Sequence, residues 1–463
     1  MRAKINRFSA YLILLFVAAY YVNYFVKLPA LNGFMSFLAL LFLLICLPRL
    51  PGKSLLFMLV ILFLSFSVSY FNSSPTILWD GLRQLESIIP IIVVSPVIGF
   101  VFAYRKHFAS LLILTEKWIT KKWKYFFGIT ILSHLICSLM VQSGIITVYQ
   151  LINSGTEQKG LHAPKEFQST AIIRGYTLMM LWSVFSPGFA YASQNLGVNF
   201  VEMIMLGIGL ALIGIVISVL IYYFKNRDEA NQQIQPDEKD DSQRLPLREH
   251  RKRAAELVVL FALLILLIVI FVEVFAFPIL TAVPIVVLFT VVLYFGVFSD
   301  IPFFIRNLMS FVRNQLSGKY KELTLLFVMG VFITALEDSG LAKRWFELFL
   351  SFVGTYHLNV YIFLVLMVIF IGAIGFPPIP LLVIIANIIS TIPIGKSPEL
   401  FMPSLLIGTT ISLMLSPVTV PLMIMSNLNG LSMLRNGFVW NYMFGIVFLL
   451  VSIAYILLLE MLL

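Results

Sequence analysis

Charge is scarce in this sequence. Only 12% of its 463 residues are Asp, Glu, Lys or Arg, about half the share of an ordinary soluble chain, roughly 25%. Apolar residues make up 60% and the mean hydropathy is +0.98. A soluble domain cannot bury that much apolar surface, so a soluble globular fold is excluded. Cysteine is nearly absent. Cys46 and Cys137 both lie in apolar runs, which excludes a disulfide framework or a thiolate metal site. No G-x-x-x-x-G-K-[ST] sequence occurs, so the chain itself is not an ATPase. No basic stripe with interleaved aromatics stands apart from the apolar runs, so the net charge of +10 does not indicate nucleic acid. No small-residue cleavage pattern closes the first apolar run, 8–26, which is expected to be an uncleaved span and not a secretory signal.

Apolar runs of about 20 residues, the length that crosses ~30 Å of hydrocarbon, recur throughout. Spans are expected at 8–26, 28–47, 54–71 and 88–104, with a basic amphipathic surface helix over 105–124. Apolar segments follow at 125–152, 171–192 and 201–224. The one long polar stretch, 225–253, cannot form a core and is read as a cytoplasmic linker. Beyond it come 254–275, 278–298 and 323–340, a short amphipathic stretch at 341–352, the run 360–394, and segments 404–427 and 438–462.

The basic stretches 105–124 and 225–253 both belong in the cytoplasm, yet three apolar segments lie between them. One must enter and leave on the same side. The segment 125–152 carries Gln142-Ser143-Gly144 at its centre, which predicts a re-entrant hairpin. The run 360–394, broken by Gly375-Phe-Pro-Pro-Ile-Pro380, predicts a second one, entering from outside. This topology leaves only Lys27, Arg83, Lys343, Arg344 and Lys396 of the 32 Lys and Arg away from the cytoplasm, as the positive-inside rule requires. The N-terminus is then cytoplasmic and the C-terminus extracytoplasmic, in the cell membrane.

The two halves share an order of spans, surface helix, hairpin, Ser-Pro segment and final span. Leu181-Trp-Ser-Val-Phe-Ser-Pro-Gly188 answers Ile411-Ser-Leu-Met-Leu-Ser-Pro-Val418. Polar clusters follow each, Ser193-Gln-Asn-Leu-Gly197 and Ser426-Asn-Leu-Asn-Gly430. The expected fold is all-α and polytopic, with two inverted repeats that each hold a hairpin and a discontinuous helix. Residues 1–27 form an extra span, and 28–224 the first repeat (hairpin 125–152, broken helix 171–195). After the linker, 254–463 forms the second (hairpin 360–394, broken helix 404–428).

Such repeats place a solute at the midplane. Proline frees a carbonyl four residues earlier that can hold a cation, and half-helix N-termini can hold an anion. The expected lining is Ser143, Gly144, Ser186, Pro187, Asn195, Pro377, Pro378, Ser416, Pro417, Thr419 and Asn427. Four ionisable residues near the membrane are candidates for coupling or anion attraction: Arg174, Glu337, Asp338 and His134. Each has a plainer reading. Arg174 can be a positive-inside anchor, Glu337 and Asp338 can be solvated at the outer surface, and His134 can be a neutral, hydrogen-bonded structural residue.

Surface helix, hairpin and interrupted helix in inverted repeat resemble the ion transporter superfamily, which includes divalent anion–sodium symporters and citrate, gluconate and arsenite permeases. The resemblance covers nearly the whole chain after the first span. It implies a secondary active transporter of a small solute, an organic anion driven by Na⁺ or H⁺, with no other cofactor and a homodimer as the assembly. The Ser-Asn-Thr signature of the divalent anion symporters is absent from both tips, so dicarboxylate specificity is not carried over. Two alternatives belong to other classes. A membrane-embedded enzyme of lipid-linked glycan metabolism would carry a sizeable extracytoplasmic loop, whereas the longest expected here is 72–87. A structural or assembly membrane protein would have little use for polar clusters inside helices.

Overall fold

The computed structural model describes residues 2–72, 76–104, 107–115, 118–159, 164–233, 246–298, 300–391 and 397–462. Among these the chain is helical, with no strand beyond a single bridge between Lys121 and Gln233. Nine helices among the described residues are long and apolar enough to cross a membrane, or up to eleven when two bent pairs are counted as spans. The protein is an all-α, multi-pass membrane protein. Its contacts divide it into two units.

One unit comprises Met1–Val97, Val292–Leu358 and Asn387–Pro393. Its centre is the helix Tyr320–Asp338, packed against Pro29–Cys46, Gly52–Asn72 and the short helix Ile77–Gly81. Small residues allow this close approach. A Cβ on Gly81 would lie 2.5 Å from Val331 Cα, and one on Gly330 would lie 2.4 Å from the Gly81 carbonyl. The Phe16 and Phe42 rings meet Phe327 with centroids 5.5 and 5.7 Å apart.

The segment expected as a plain outer loop, 72–87, is built differently. Ile77, Leu82 and Leu85 are buried, and Ser36 Oγ donates to the Trp79 carbonyl at 2.7 Å. Burial raises the Glu86 carboxyl above the ordinary carboxylate range, with the Arg83 guanidinium 4.0 Å away pulling the other way. The amphipathic stretch at 341–352 is a helix, Leu341–Thr355, bent 71° from its predecessor at Gly340.

The other unit comprises Ile98–Val291, Asn359–Ala386 and Ile394–Leu463. The expected surface helix is shorter than 105–124, running over His107–Thr115. It rests on Leu247–Val269, with His250 Nδ1 3.1 Å from Ser110 Oγ and His107 Nε2 3.6 Å from Glu256. That buried face is covered by protein. Arg105, Lys106, Lys117 and Lys396 lie outside the described residues, as does the centre of the linker, 234–245. The linker's edges are helical at Arg227–Ala230 and from Leu247 onward.

Both hairpins exist as helix–turn–helix pairs, with boundaries that correct the sequence expectation. The first runs Lys122–Met140 and Gln142–Lys159, turning at Val141 with φ +50°. Gln142, Ser143 and Gly144 are therefore the first turn of the returning arm and not the tip. A β-branched residue at positive φ is strained, and Gly144 explains why the chain accepts it. A Cβ there would lie 2.8 Å from both Cα and Sγ of Cys137. The first arm's 19 residues reach about 28 Å at 1.5 Å per residue, which is the length of a span and not of a half-helix. The second hairpin, Val360–Ala373 and Pro378–Thr391, has arms of 14 residues, about 21 Å each. It turns at Gly375, φ +105°.

Both Ser-Pro segments are interrupted helices, Lys165–Met179 with Pro187–Leu196 and Pro398–Leu415 with Val420–Asn429. Pro187 opens the half-helix after the first break, and Pro417, which supplies no N–H, lies inside the second.

Candidate functional site

The first hairpin, both interrupted helices and the second hairpin as far as Ala386 fall in the same unit. In the first half, hairpin and break are sewn together. Gly175 lets the helix Lys165–Met179 press onto the hairpin, since a Cβ there would lie 2.6 Å from the Thr130 carbonyl and 2.8 Å from Ser133 Cβ. Ser133 Oγ donates to the Ile172 carbonyl at 2.9 Å, and Ser183 Oγ donates to the Ser138 carbonyl at 2.6 Å. His134 is held at both ring nitrogens. Trp182 Nε1–H can only donate, so His134 Nε2 accepts at 2.9 Å, and Nδ1 carries the proton toward the Gly175 carbonyl at 3.2 Å. His134 is thus a neutral structural residue. Ser186 Oγ contacts Met180 Sδ at 3.0 Å. The Ser183 carbonyl, four residues before Pro187, accepts from Ser186 N–H at 2.9 Å.

The second half is different. Its hairpin tip also presses on its interrupted helix. A Cβ on Gly372 would lie 1.6 Å from Ser412 Oγ, and one on Gly375 would lie 3.8 Å from Val418 Cγ2. The carbonyl freed by Pro417 belongs to Leu413, and the Thr419 hydroxyl donates to it across the break at 2.8 Å. Each proline-freed carbonyl thus accepts one hydrogen bond within the break. Unpartnered polar atoms lie elsewhere. The hydroxyls of Thr409, Thr410, Ser412 and Ser416 are buried, and none has a hydrogen-bond partner among the described residues. Earlier on the same helix, Ser404 Oγ folds back onto the Leu400 carbonyl at 2.8 Å. The four later hydroxyls do not, although unpaired buried hydroxyls cost about 1–3 kcal/mol each. Thr409 and Ser412 are spaced i, i+3 on one face of the helix, and Ser416 follows in extended backbone just past its end.

The two breaks are neighbours. The half-helix Pro187–Leu196 packs against Pro398–Leu415, and a Cβ on Gly188 would lie 3.6 Å from Leu382 Cδ1 of the second hairpin. Ser186, Pro187, Pro378, Ser416, Pro417 and Thr419 therefore belong to one neighbourhood. Asn195 and Asn427 do not. The polar clusters that contain them are helix ends, closed by Gly197 and Gly430 at φ +64° and +74°, as glycine does after a last helical turn. Asn195 Nδ2 bonds to the Tyr191 carbonyl of its own helix at 3.0 Å, and Asn427 is exposed. Pro377 and Pro378 flank the start of the second hairpin's returning arm. With Pro380 they leave Ile379 as the one N–H among its first three residues, so this helix end is a poor anion donor.

Glu337 and Asp338 lie in the other unit. Both are exposed, and the Glu337 carboxylate accepts from Gln84 Nε2 at 2.8 Å and Asn387 Nδ2 at 2.9 Å. Arg174 is 4% exposed, so it is not a surface anchor. Its Nε donates to Asn441 Oδ1 at 2.9 Å and its Nη2 to the Trp440 carbonyl at 3.1 Å, while Nη1 lies 3.4 Å from Ser218 O and Oγ.

The sequence reading missed Thr409, Thr410 and Ser412. The signal was the run Gly408-Thr-Thr-Ile-Ser412, three hydroxyls in an apolar stretch just before Ser-Pro. It also missed a buried polar chain. Ser169 Oγ donates to Asn436 Oδ1 at 2.8 Å, Asn429 Nδ2 to Asn436 Oδ1 at 2.6 Å, and Asn441 Nδ2 to the Asn436 carbonyl at 2.8 Å. Among the described residues no three His, Cys, Asp or Glu gather as a metal site.

The fold is that of solved membrane transporters. The chain is similar to the Alcanivorax borkumensis YdaH transporter, whose structure shows an unusual topology, with 14% identity and a TM-score of 0.53 over 92% of this chain and 98% of that one. It is similar also to Neisseria gonorrhoeae MtrF, which illuminates a class of antimetabolite efflux pumps, with 11% identity and a TM-score of 0.51 over 88% and 94%. At such identities the likeness is one of fold. No family model matches the chain, and no curated protein matches it in sequence.

Proposed function

We propose that this protein is a secondary active transporter of a small solute, with its binding site at the second interrupted helix. The observation that carries the reading is the set of four buried, unpartnered hydroxyls at Thr409, Thr410, Ser412 and Ser416, next to a proline break and a hairpin tip. Groups this costly to leave unpaired point to a ligand as their missing partner. Hydroxyls both donate and accept, so they can serve an organic anion or a coupling Na⁺. An organic anion driven by Na⁺ or H⁺ remains the first class to test, in keeping with the resemblance to the ion transporter superfamily. The likeness in fold to two solved transporters supports transport and weighs against the glycan enzyme and the purely structural role.

In this reading the two halves are inverted repeats, and a rocking or elevator-like motion exposes the site to either side of the cell membrane. The N-terminus faces the cytoplasm and the C-terminus the outside, which the distribution of Lys and Arg supports.

The test is uptake by proteoliposomes loaded against a panel of radiolabelled organic anions, each under a Na⁺ or a proton gradient. Gradient-dependent uptake of one anion class that falls at least tenfold in Ser416→Ala is expected. A panel without uptake, or uptake untouched by Ser416→Ala and Thr409→Val, would sink this assignment.

A further inference from the structure

Away from the breaks, the same unit holds an apolar cavity of about 320 Å³. It lies between the surface helix His107–Thr115 and the first arm of the first hairpin, Lys122–Met140. Leu111, Leu112 and Thr115 line one side, and Phe127, Ile131 and Leu135 line the other. The Thr115 hydroxyl is spent on the Leu111 and Leu112 carbonyls at 3.2 and 3.0 Å, so these side chains offer a ligand only hydrocarbon. The surface helix is anchored on its far side, where His107 and Ser110 meet Glu256 and His250. Gly128 adds room in the other wall, since a Cβ there would meet only Ile119 Cδ1, at 3.6 Å. An apolar space of this kind holds no ordered water, and its volume falls within the roughly 300–1,000 Å³ of small-ligand pockets.

The mouth of the cavity has a different chemistry. Trp118 lines it there, and Lys124 Nζ sits over the Trp118 and Trp123 rings, 5.3 and 5.9 Å from their centroids. Tryptophan and lysine together mark a membrane interface, here at the basic start of a candidate span. Nearby, Lys122 is paired with Glu229 at 3.0 Å and Lys121 Nζ reaches Asn231 Oδ1 at 3.5 Å. Lys124 differs. It donates to the Thr120 hydroxyl at 3.3 Å and has no carboxylate partner among the described residues, although an ammonium has three donors. From Lys124 to Leu135 the arm descends about 17 Å at 1.5 Å per residue. One leaflet, half of the ~30 Å hydrocarbon core, has nearly the same depth.

A hydrocarbon-walled groove one leaflet deep is thus topped by an ammonium that no described carboxylate neutralises. We propose that this cavity binds one acyl chain of an anionic phospholipid, with the headgroup phosphate on Lys124. The walls fit the chain, the charge fits the phosphate, and the separation between them fits a lipid standing upright in its leaflet. Lipid that merely surrounds the protein needs neither the groove nor the charge at its mouth. A bound chain fills the gap between surface helix and hairpin arm and restores the packing contacts that the gap forfeits. The site is distinct from the hydroxyl cluster of Thr409–Ser416 and does not depend on the transport reading.

The experiment is native mass spectrometry of the full-length protein, delipidated in a maltoside detergent. It is titrated with phosphatidylglycerol in one arm and with phosphatidylcholine of the same acyl chains in the other. Wild type is expected to bind its first phosphatidylglycerol about fivefold more tightly than phosphatidylcholine, the worth of one basic residue at an anionic surface. Lys124→Gln should bring the two lipids level while leaving phosphatidylcholine binding as it was. Gly128→Leu, whose side chain enters the groove, should weaken that first binding event at least tenfold. Leu135→Trp fills the same groove lower down and keeps the test decisive if Gly128→Leu fails to fold. Ser416→Ala, at the other site, is the control that matches wild type. Equal binding of the two lipids by wild type would mean surrounding lipid only and overturns the proposal. So does a phosphatidylglycerol preference that survives Lys124→Gln, or a first binding event that the groove-filling variants leave unaltered.

Discussion

The two interrupted helices share a sequence pattern and differ in how their polar groups end. Around the first break, Ser133 and His134 of the hairpin bond to Ile172, Gly175 and Trp182, and Ser183 of the break bonds back to Ser138 of the hairpin. Around the second, Thr419 closes the carbonyl that Pro417 frees, while Thr409, Thr410, Ser412 and Ser416 keep unpaired hydroxyls. Satisfied networks rigidify and unsatisfied ones cost stability. Under the proposed function the first break is a fixed wall, and the second is where a ligand would supply the missing partners. A repeat in sequence does not imply a repeat in role.

Substitutions can break or sharpen that contrast. The largest effect is expected from Gly372→Ala, whose Cβ would lie 1.6 Å from Ser412 Oγ. Such overpacking costs about 1–3 kcal/mol or more, and a fall in melting temperature relieved by adding Ser412→Gly would locate the clash. Next comes His134→Leu, which strands Trp182 Nε1–H and the Gly175 carbonyl. At ~1–3 kcal/mol for each orphaned group, it should lower the midpoint more than any single hydroxyl change. Ser183→Ala leaves the Ser138 carbonyl unpaired and should cost about 1 kcal/mol, near the modest value of hydrogen bonds inside membrane proteins. The smallest effect on stability is expected from Ser416→Ala, within about 0.5 kcal/mol of wild type or slightly above it, because the hydroxyl has no protein partner to lose. Its effect on ligand response should be the largest of the four. Equal destabilisation by Ser183→Ala and Ser416→Ala would erase the distinction between the breaks.

Much of this fold was legible from sequence because membranes impose simple rules. Apolar run length revealed the spans, and the mismatch between three apolar segments and two basic flanks pointed to the first hairpin. Proline placement revealed both breaks, since a missing N–H acts locally and needs no tertiary knowledge. Partners were harder to read. Arg174 looked like an anchor or an anion lure, and its ties to Asn441, Trp440 and Ser218 come from residues 44 to 267 positions away. Asn427 drew attention where Asn429, two residues on, is the buried one, because helix phase at a broken end is not fixed by spacing. The turn of the first hairpin fell on Val141 and not on the expected Ser-Gly, since the tight contact between Gly144 and Cys137 sets the register. That these hydroxyls are unpaired could not be read from the run Gly408-Thr-Thr-Ile-Ser412, because a hydroxyl's lack of a partner is a property of everything around it.

The most direct test is the melting temperature of wild type, Ser183→Ala and Ser416→Ala against a panel of organic anions, each with and without Na⁺ and at two pH values. A ligand that binds the folded state raises the midpoint by mass action. The account predicts that one anion class stabilises wild type, that Ser183→Ala lowers the baseline while keeping the shift, and that Ser416→Ala keeps the baseline while losing the shift. A shift retained in Ser416→Ala and lost in Ser183→Ala would contradict it and move the site to the first break.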